Sequence, residues 1–237
     1  MIKLKNVTKN YGSLKVLDDI TLELEDGKIT CIIGGSGTGK STLLNVLAGL
    51  TDFEGTVLTD NATVSYMFQS ERLIPTLTAR QNVEFVLGAM SPDERKAAAD
   101  AMLSAVELTD FQNLYPKALS GGMKQRVAMA RAFAYPSDVL LVDEPFKGLD
   151  MVLTEKLTKL FTDILQKDGR TVVYVTHNIG EAVLLADRII VLSALPAKLV
   201  YDVNIDIPKD KRSLTDSKLF AIRNEIYTVL KENATDR

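Results

Sequence analysis

An apolar strand that runs through a glycine-rich turn directly into a helix constrains this chain more than any other feature. Residues 29–44 read Ile-Thr-Cys-Ile-Ile-Gly-Gly-Ser-Gly-Thr-Gly-Lys-Ser-Thr-Leu-Leu, which sets the spacing G-x-x-x-x-G-K-S between a β-branched run and a helix with leucines on its inner face. Glycines at 34, 35, 37 and 39 let the backbone bend back on itself, so that successive N–H groups converge on an anion at the positive end of the helix. Gly34, Gly35, Ser36, Gly37, Thr38, Gly39, Lys40, Ser41 and Thr42 therefore form the expected phosphate cradle. In it Lys40 would reach the β- and γ-phosphates of a nucleotide and the Ser41 hydroxyl would ligate Mg²⁺.

Residues 139–145, Val-Leu-Leu-Val-Asp-Glu-Pro, are a continuous apolar run ending in two carboxylates, the pattern of a strand buried on both faces whose charged end protrudes at a sheet edge. Taken alone, such an ending suits an ordinary solvated turn. Beside a phosphate loop it suits catalysis: Asp143 holds Mg²⁺ through water opposite Ser41, and Glu144 orients or deprotonates the attacking water. Between these two segments lies a third, Leu119-Ser-Gly-Gly-Met-Lys124, which most ATPases with the flanking parts lack.

With those residues placed, the chain resembles the ATP-binding cassette family, specifically the stand-alone ATPase subunits of bacterial importers, from about residue 2 to about residue 230. The resemblance implies a P-loop NTPase of α/β class: a mixed sheet around the phosphate-loop helix, an inserted helical arm and an N-terminal antiparallel β subdomain. It also assigns residues. Tyr11 resembles the aromatic that stacks on adenine, with Val16 nearby to complete an apolar platform. Gln69, in Tyr-Met-Phe-Gln, resembles the glutamine that touches Mg²⁺ and the water and senses the membrane partner. Ser120, Gly121 and Gly122 resemble the signature residues that contact the γ-phosphate held by a second copy, and Asp150 resembles the aspartate that bridges the copies. His177, in Tyr-Val-Thr-His-Asn, resembles the switch histidine. Relatives usually carry a small residue where Lys147 stands; a lysine there adds an intersubunit salt bridge, a second phosphate contact or, the preferred reading, a solvated loop charge.

His177 is the chain's one histidine, and it follows a second apolar strand at the point where a nucleotide-facing loop begins. A lone histidine is ordinarily a surface or core residue; this position instead suits a hydrogen bond to the γ-phosphate and to Glu144. With one histidine and one cysteine, a zinc site of His/Cys type and a Cys-His nucleophile pair are excluded by arithmetic. A composition of 46% hydrophobic and 25% charged residues is that of an ordinary globular chain, and a net charge of -3 argues against non-specific nucleic-acid binding. No apolar run approaches the roughly 18 residues needed to cross a bilayer, and Met-Ile-Lys-Leu-Lys starts as an alternating strand without a secretion signal. The expected location is the cytoplasm, peripheral on the inner face of the membrane. Cys31, inside the strand feeding the phosphate loop, is expected as a buried, reduced thiol.

Along the chain, residues 1–68 read as short strands with turns at Glu25-Asp-Gly27 and Phe53-Glu-Gly55. Ser91-Pro-Asp-Glu94 is a capping box that opens a helix to about residue 106, and a further helix follows Ser120 and stops before Pro136. Helices are also expected over about 151–166 and 215–230, the second with an apolar stripe at Leu219, Ile222, Ile226 and Val229 or Leu230. The chain is thus one ATPase domain, with 1–68 and 137–210 as nucleotide-binding core, 69–136 as helical arm and 211–237 as a final helix and polar tail. The expected partners are a second copy, integral membrane permease subunits docking near Gln69 on the stretch 68–78, and indirectly a solute-binding protein; Leu73, Ile74 and Leu77 are expected to line that groove. The form of this stretch resembles the branch that imports nitrate, sulfonates, taurine and thiamine precursors. Two other classes are a soluble cassette ATPase unlinked to transport, which would carry a long coiled coil or tandem cassettes, and a nucleotide-binding regulator without turnover, which intact Glu144, Gln69 and His177 argue against.

Overall fold

The computed structural model describes residues 2–148 and 150–233. Most of the polar tail expected at the end of the chain, from residue 234, and Leu149 of the Gly-Leu-Asp motif lie outside the described residues. In chain order the elements are β1 (Ile2–Tyr11), β2 (Leu14–Leu24), β3 (Ile29–Ile33), α1 (Lys40–Leu47), β4 (Glu54–Leu58), β5 (Val64–Met67), α2 (Ala79–Glu84), α3 (Pro92–Ala105), α4 (Gly121–Ala134), β6 (Val139–Asp143), α5 (Met151–Asp168), β7 (Thr171–Thr176), α6 (Ile179–Leu185), β8 (Arg188–Leu192), β9 (Leu199–Asn204) and α7 (Ser217–Glu232). They fall into two compact units, Met1–Ala62 with Arg170–Arg237, and Thr63–Gly169.

The first unit holds two sheets. One is antiparallel in the order β2-β1-β4. Its strands β1 and β2 run 10 and 11 residues, longer than the short strands expected. They stay paired because Asn6 and Asp19, both at positive φ, absorb register shifts, and the Asn6 side-chain amide donates to the Asp19 carboxylate at 2.6 Å. The other sheet runs β7-β3-β8-β9, with parallel pairs flanking β3 and an antiparallel pair at its edge. Every residue of β3 and β7 is buried, as a strand covered on both faces requires. The start of β3 is fixed by Asp187, whose carboxylate accepts from the Ile29 N–H and the Lys209 ammonium, both at 2.8 Å. Arg212 closes the same end by donating to the carbonyls of Val183, Leu184, Ala186, Ile205 and Ile207.

In the second unit β5 and β6 pair in parallel, and α2, α3, α4 and α5 make up the rest. The helix starts follow local chemistry. Ser91 and Glu94 form the expected capping box, Thr78 and Gln81 form another on α2, and Ser120 and Asp150 cap α4 and α5 by accepting from Met123 N and Leu153 N. The final helix of the first unit, α7, starts two residues later than the expected position near 215, because Asp216 accepts from the N–H groups of Lys218 and Leu219. Leu219 and Ile226 are its buried residues, while Phe220 and Tyr227 on the other face are exposed. Among the described residues, no helix is long and apolar enough to cross a membrane.

Candidate nucleotide site

In the first unit, the glycine-rich turn leaves β3 and enters α1 through Gly39, which sits at φ 89. Alanine there would be strained, and its Cβ would lie 2.9 Å from Val16 Cγ1 and 3.3 Å from the Val16 carbonyl oxygen. Val16, 6% exposed, is thus placed against the turn itself. Lys40 is only 4% exposed and curls back over its own loop, donating to the carbonyls of Gly34 at 2.9 Å and Gly35 at 2.7 Å, while the Thr38 hydroxyl donates to Gly35 O at 3.0 Å. No side chain caps α1, so the positive end of this eight-residue helix remains directed at whatever lies over the turn. Ser41 is exposed and Thr42 half-buried.

His177 stands exposed one residue beyond β7 and shares a cavity of about 370 Å³ with residues 34–38. Leu192, Ala194, Leu195, Leu230 and Asn233 complete its wall. Beneath it the Glu181 carboxylate accepts from Thr176 Oγ1 at 2.9 Å and from Asn178 Nδ2 at 3.2 Å, which fixes the loop that presents the imidazole. Tyr11 is exposed, with the Lys9 ammonium 4.7 Å from its ring centroid, and is not part of that wall. Cys31 is fully buried in β3, where desolvation first and the Glu181 charge second push its thiol far above the ordinary range; it is an unreactive core residue, as expected.

In the second unit, Asp143 ends β6 and Glu144 follows at φ 39, a left-handed conformation that non-glycine residues adopt rarely and that concentrates at functional positions. Both are buried. Asp143 is held by a hydrogen bond from the Tyr66 hydroxyl; burial first, then the aspartate's charge, keeps that phenol protonated well above its usual range. Lys147, expected as a solvated charge, instead pairs with Glu144: Nζ lies 2.7 Å from Oε2. The difference follows from the left-handed turn at Glu144, closed by Lys147 N donating to Glu144 O at 3.2 Å.

Ser120 and Gly121 are exposed at the start of α4, and Asp150 is exposed at the start of α5. A Cβ on Gly122 would come within 2.8 Å of Leu153, whereas one on Gly121 would meet nothing within 4 Å. A side chain at 122 would have to displace the far end of Leu153; at 121 folding leaves the choice open. Gln69 is exposed in the loop after β5, and Arg131 of α4 holds that loop by donating to Glu71 O at 2.8 Å and Arg72 O at 2.9 Å. Beside it lies an open cavity of about 450 Å³ walled by Tyr66, Phe68, Arg72, Ile74, Phe85 and Tyr135. Arg72 stacks at 3.9 Å over Phe68, which stacks in turn on Tyr66. Of the three residues expected to line this groove, Ile74 does, while Leu73 and Leu77 do not. Buried Asn82 turns the loop by bonding Ile74 N and the carbonyls of Ile74, Leu77 and Thr78.

Sequence reasoning overlooked Tyr66, Gln125, Phe85 and the Lys147 pairing. Only Lys147 carried a signal, as a charge where small residues are usual.

The ABC transporter family profile matches residues 17–147. The nitrate import ATP-binding protein NrtD of Synechocystis is 38% identical over 243 residues, covering 95% of this chain and 91% of that protein. The aliphatic sulfonates import ATP-binding protein SsuB of Bacillus thuringiensis is 37% identical over 225 residues, covering 91% and 89%. Among solved structures, the dimeric bacterial ABC transporter cassette MJ0796 superposes with a TM-score of 0.78 at 37% identity over 88% of this chain and 100% of that one, and its post-hydrolysis state bound to ADP and Pi with 0.77. Motif order, fold and these likenesses agree, and the chain belongs to the ABC transporter family.

Proposed function

We propose that this chain is the ATP-binding and hydrolysing subunit of an ABC importer, acting as a pair of copies on a separate membrane permease. The observation that carries this reading is the cavity that residues 34–38 share with His177 at the uncapped start of α1. An anion fits there: the helix end and the turn's N–H groups supply partial positive charge, and Lys40, which donates to the Gly34 and Gly35 carbonyls, can turn to phosphate oxygens instead. Tyr11 stacks on adenine, and Val16 supports the turn from behind. Oxygen donors from Ser41, Asp143 and Gln69 suit a hard cation, and Mg²⁺, when bound, neutralises charge on the β- and γ-phosphates.

Glu144 accepts the proton of the attacking water, and His177 donates a hydrogen bond to the γ-phosphate as the β–γ bond breaks. Ser120, Gly121 and Gly122 close on the γ-phosphate held by the second copy, with Asp150 bridging the pair. Glycine at 121, which packing leaves optional, supports close approach of a phosphate to the α4 start. The relatives' names, nitrate import and aliphatic sulfonates import ATP-binding proteins, support an import role. The solute in this reading is of nitrate, sulfonate or taurine type or a thiamine precursor, delivered by a solute-binding protein. The working location is then the inner face of the cell membrane.

The permease docks in the groove of Phe68, Ile74 and Phe85, whose 65% exposed Phe85 ring is a large apolar surface left to solvent. Phe85→Glu, alone and with Ile74→Glu, should abolish co-purification with the permease from solubilised membranes while leaving ATP hydrolysis by the isolated chain within about two-fold of the parent. A complex that survives both substitutions removes the groove, and the absence of any membrane partner in the parent pull-down removes the transport role.

A further inference from the structure

The turn after β6 ties the candidate base to a cation through three features of one short segment. Glu144 is held at φ 39, Lys147 N closes the turn on Glu144 O at 3.2 Å, and Lys147 Nζ reaches Glu144 Oε2 at 2.7 Å. The Glu144 side chain is 7% exposed and that of Lys147 40%, so the carboxylate is fixed in the protein while the ammonium has a path to water. Residues between them are clamped: Phe146 is buried edge-on to Phe161 at 6.0 Å, and buried Gln125 of α4 donates from Nε2 to Pro145 O.

We propose that Lys147 is a latch on Glu144, a positioning residue that keeps the base idle until the turn opens. The inference rests on reading Glu144 as the acceptor of the water's proton. In hydrolysis the water oxygen bonds to the γ-phosphorus, its proton passes to the Glu144 carboxylate, and the bond to the β–γ bridging oxygen breaks to release ADP. Lys147 neither gives nor takes a proton in that step. It holds Oε2 in an ion pair at 2.7 Å, and the ammonium must move off that oxygen before water takes its place there. The Gln125 contact runs from the signature helix to this turn, so a shift of α4 has a direct route to the latch. Such a latch would limit idle hydrolysis by the isolated chain.

The test is steady-state ATP hydrolysis by the isolated chain, comparing Lys147→Ala, Lys147→Met and Lys147→Arg, each with and without Glu144→Gln. The Ala and Met variants should raise kcat by about 3- to 10-fold with KM for ATP unchanged, the size expected from releasing one partly exposed ion pair. Arg retains the pair and should stay within about two-fold of the parent. Adding Glu144→Gln should bring every variant to the same low floor. Met keeps the aliphatic stem and decides the matter if Ala lowers the thermal unfolding midpoint. If kcat for Met is equal to or below the parent while Glu144→Gln is still inactive, the latch is overturned and the base assignment survives. If Glu144→Gln alone turns over within a few-fold of the parent, the base assignment falls and the latch with it.

Discussion

Gly39 shows how one residue couples backbone shape to ligand binding. Its φ of 89 and its contact with Val16 leave no room for a Cβ, so Gly39→Ala must either distort the phosphate turn or push Val16 from its site. Equilibrium nucleotide binding should weaken at least ten-fold, with unfolding stability lower by about 1–3 kcal/mol. Gly121→Ala is the contrasting case: it should leave stability within about 0.5 kcal/mol, because nothing in the chain lies within 4 Å of the added methyl, and still impair hydrolysis. Loss of stability at 121 comparable to that at 39 would show that packing, not phosphate, fixes the glycine. At Tyr11, alanine should cost about 1–3 kcal/mol of ATP affinity through lost stacking, with phenylalanine nearly silent in the same titration.

At the scale of elements, the strand that feeds the phosphate turn depends on Asp187. Burial alone would raise its carboxyl, but the Ile29 N–H and the Lys209 ammonium outweigh that effect and hold the group below the usual carboxylate range. Stability from a depressed carboxyl is fully present above its unfolded value, about 3.9, and is lost as pH falls through the lower folded value. Asp187→Asn should therefore lower the unfolding midpoint near neutral pH and flatten its decline below about pH 4. Equal acid sensitivity of the two proteins would contradict the assignment. The same scale shows what was legible in the sequence. The capping boxes at Ser91 and Thr78, the caps at Ser120 and Asp150, and the buried runs of β3, β6 and β7 depend on neighbouring residues, and each stands where its local chemistry requires. The Tyr66 bond to Asp143, the Gln125 bond to Pro145 and the Phe85 wall of the groove join residues distant in sequence, and no periodicity announces them. Lys147 is close to Glu144 in sequence, yet their pairing depends on a left-handed residue that composition does not reveal.

For the whole molecule, the central claim is that two copies trap ATP and that Glu144 then destroys it. The phosphate turn belongs to the first unit and the signature residues to the second, and in the proposed mechanism a second copy's signature residues complete each site. The most direct measurement uses Glu144→Gln, mixed with ATP and Mg²⁺ and followed by light scattering and by phosphate release. The account predicts a dimer that forms only with nucleotide, together with a loss of hydrolysis on the order of 10²-fold or more, the contribution of a positioned general base. A protein that stays monomeric with ATP and turns it over within a few-fold of the parent would contradict it.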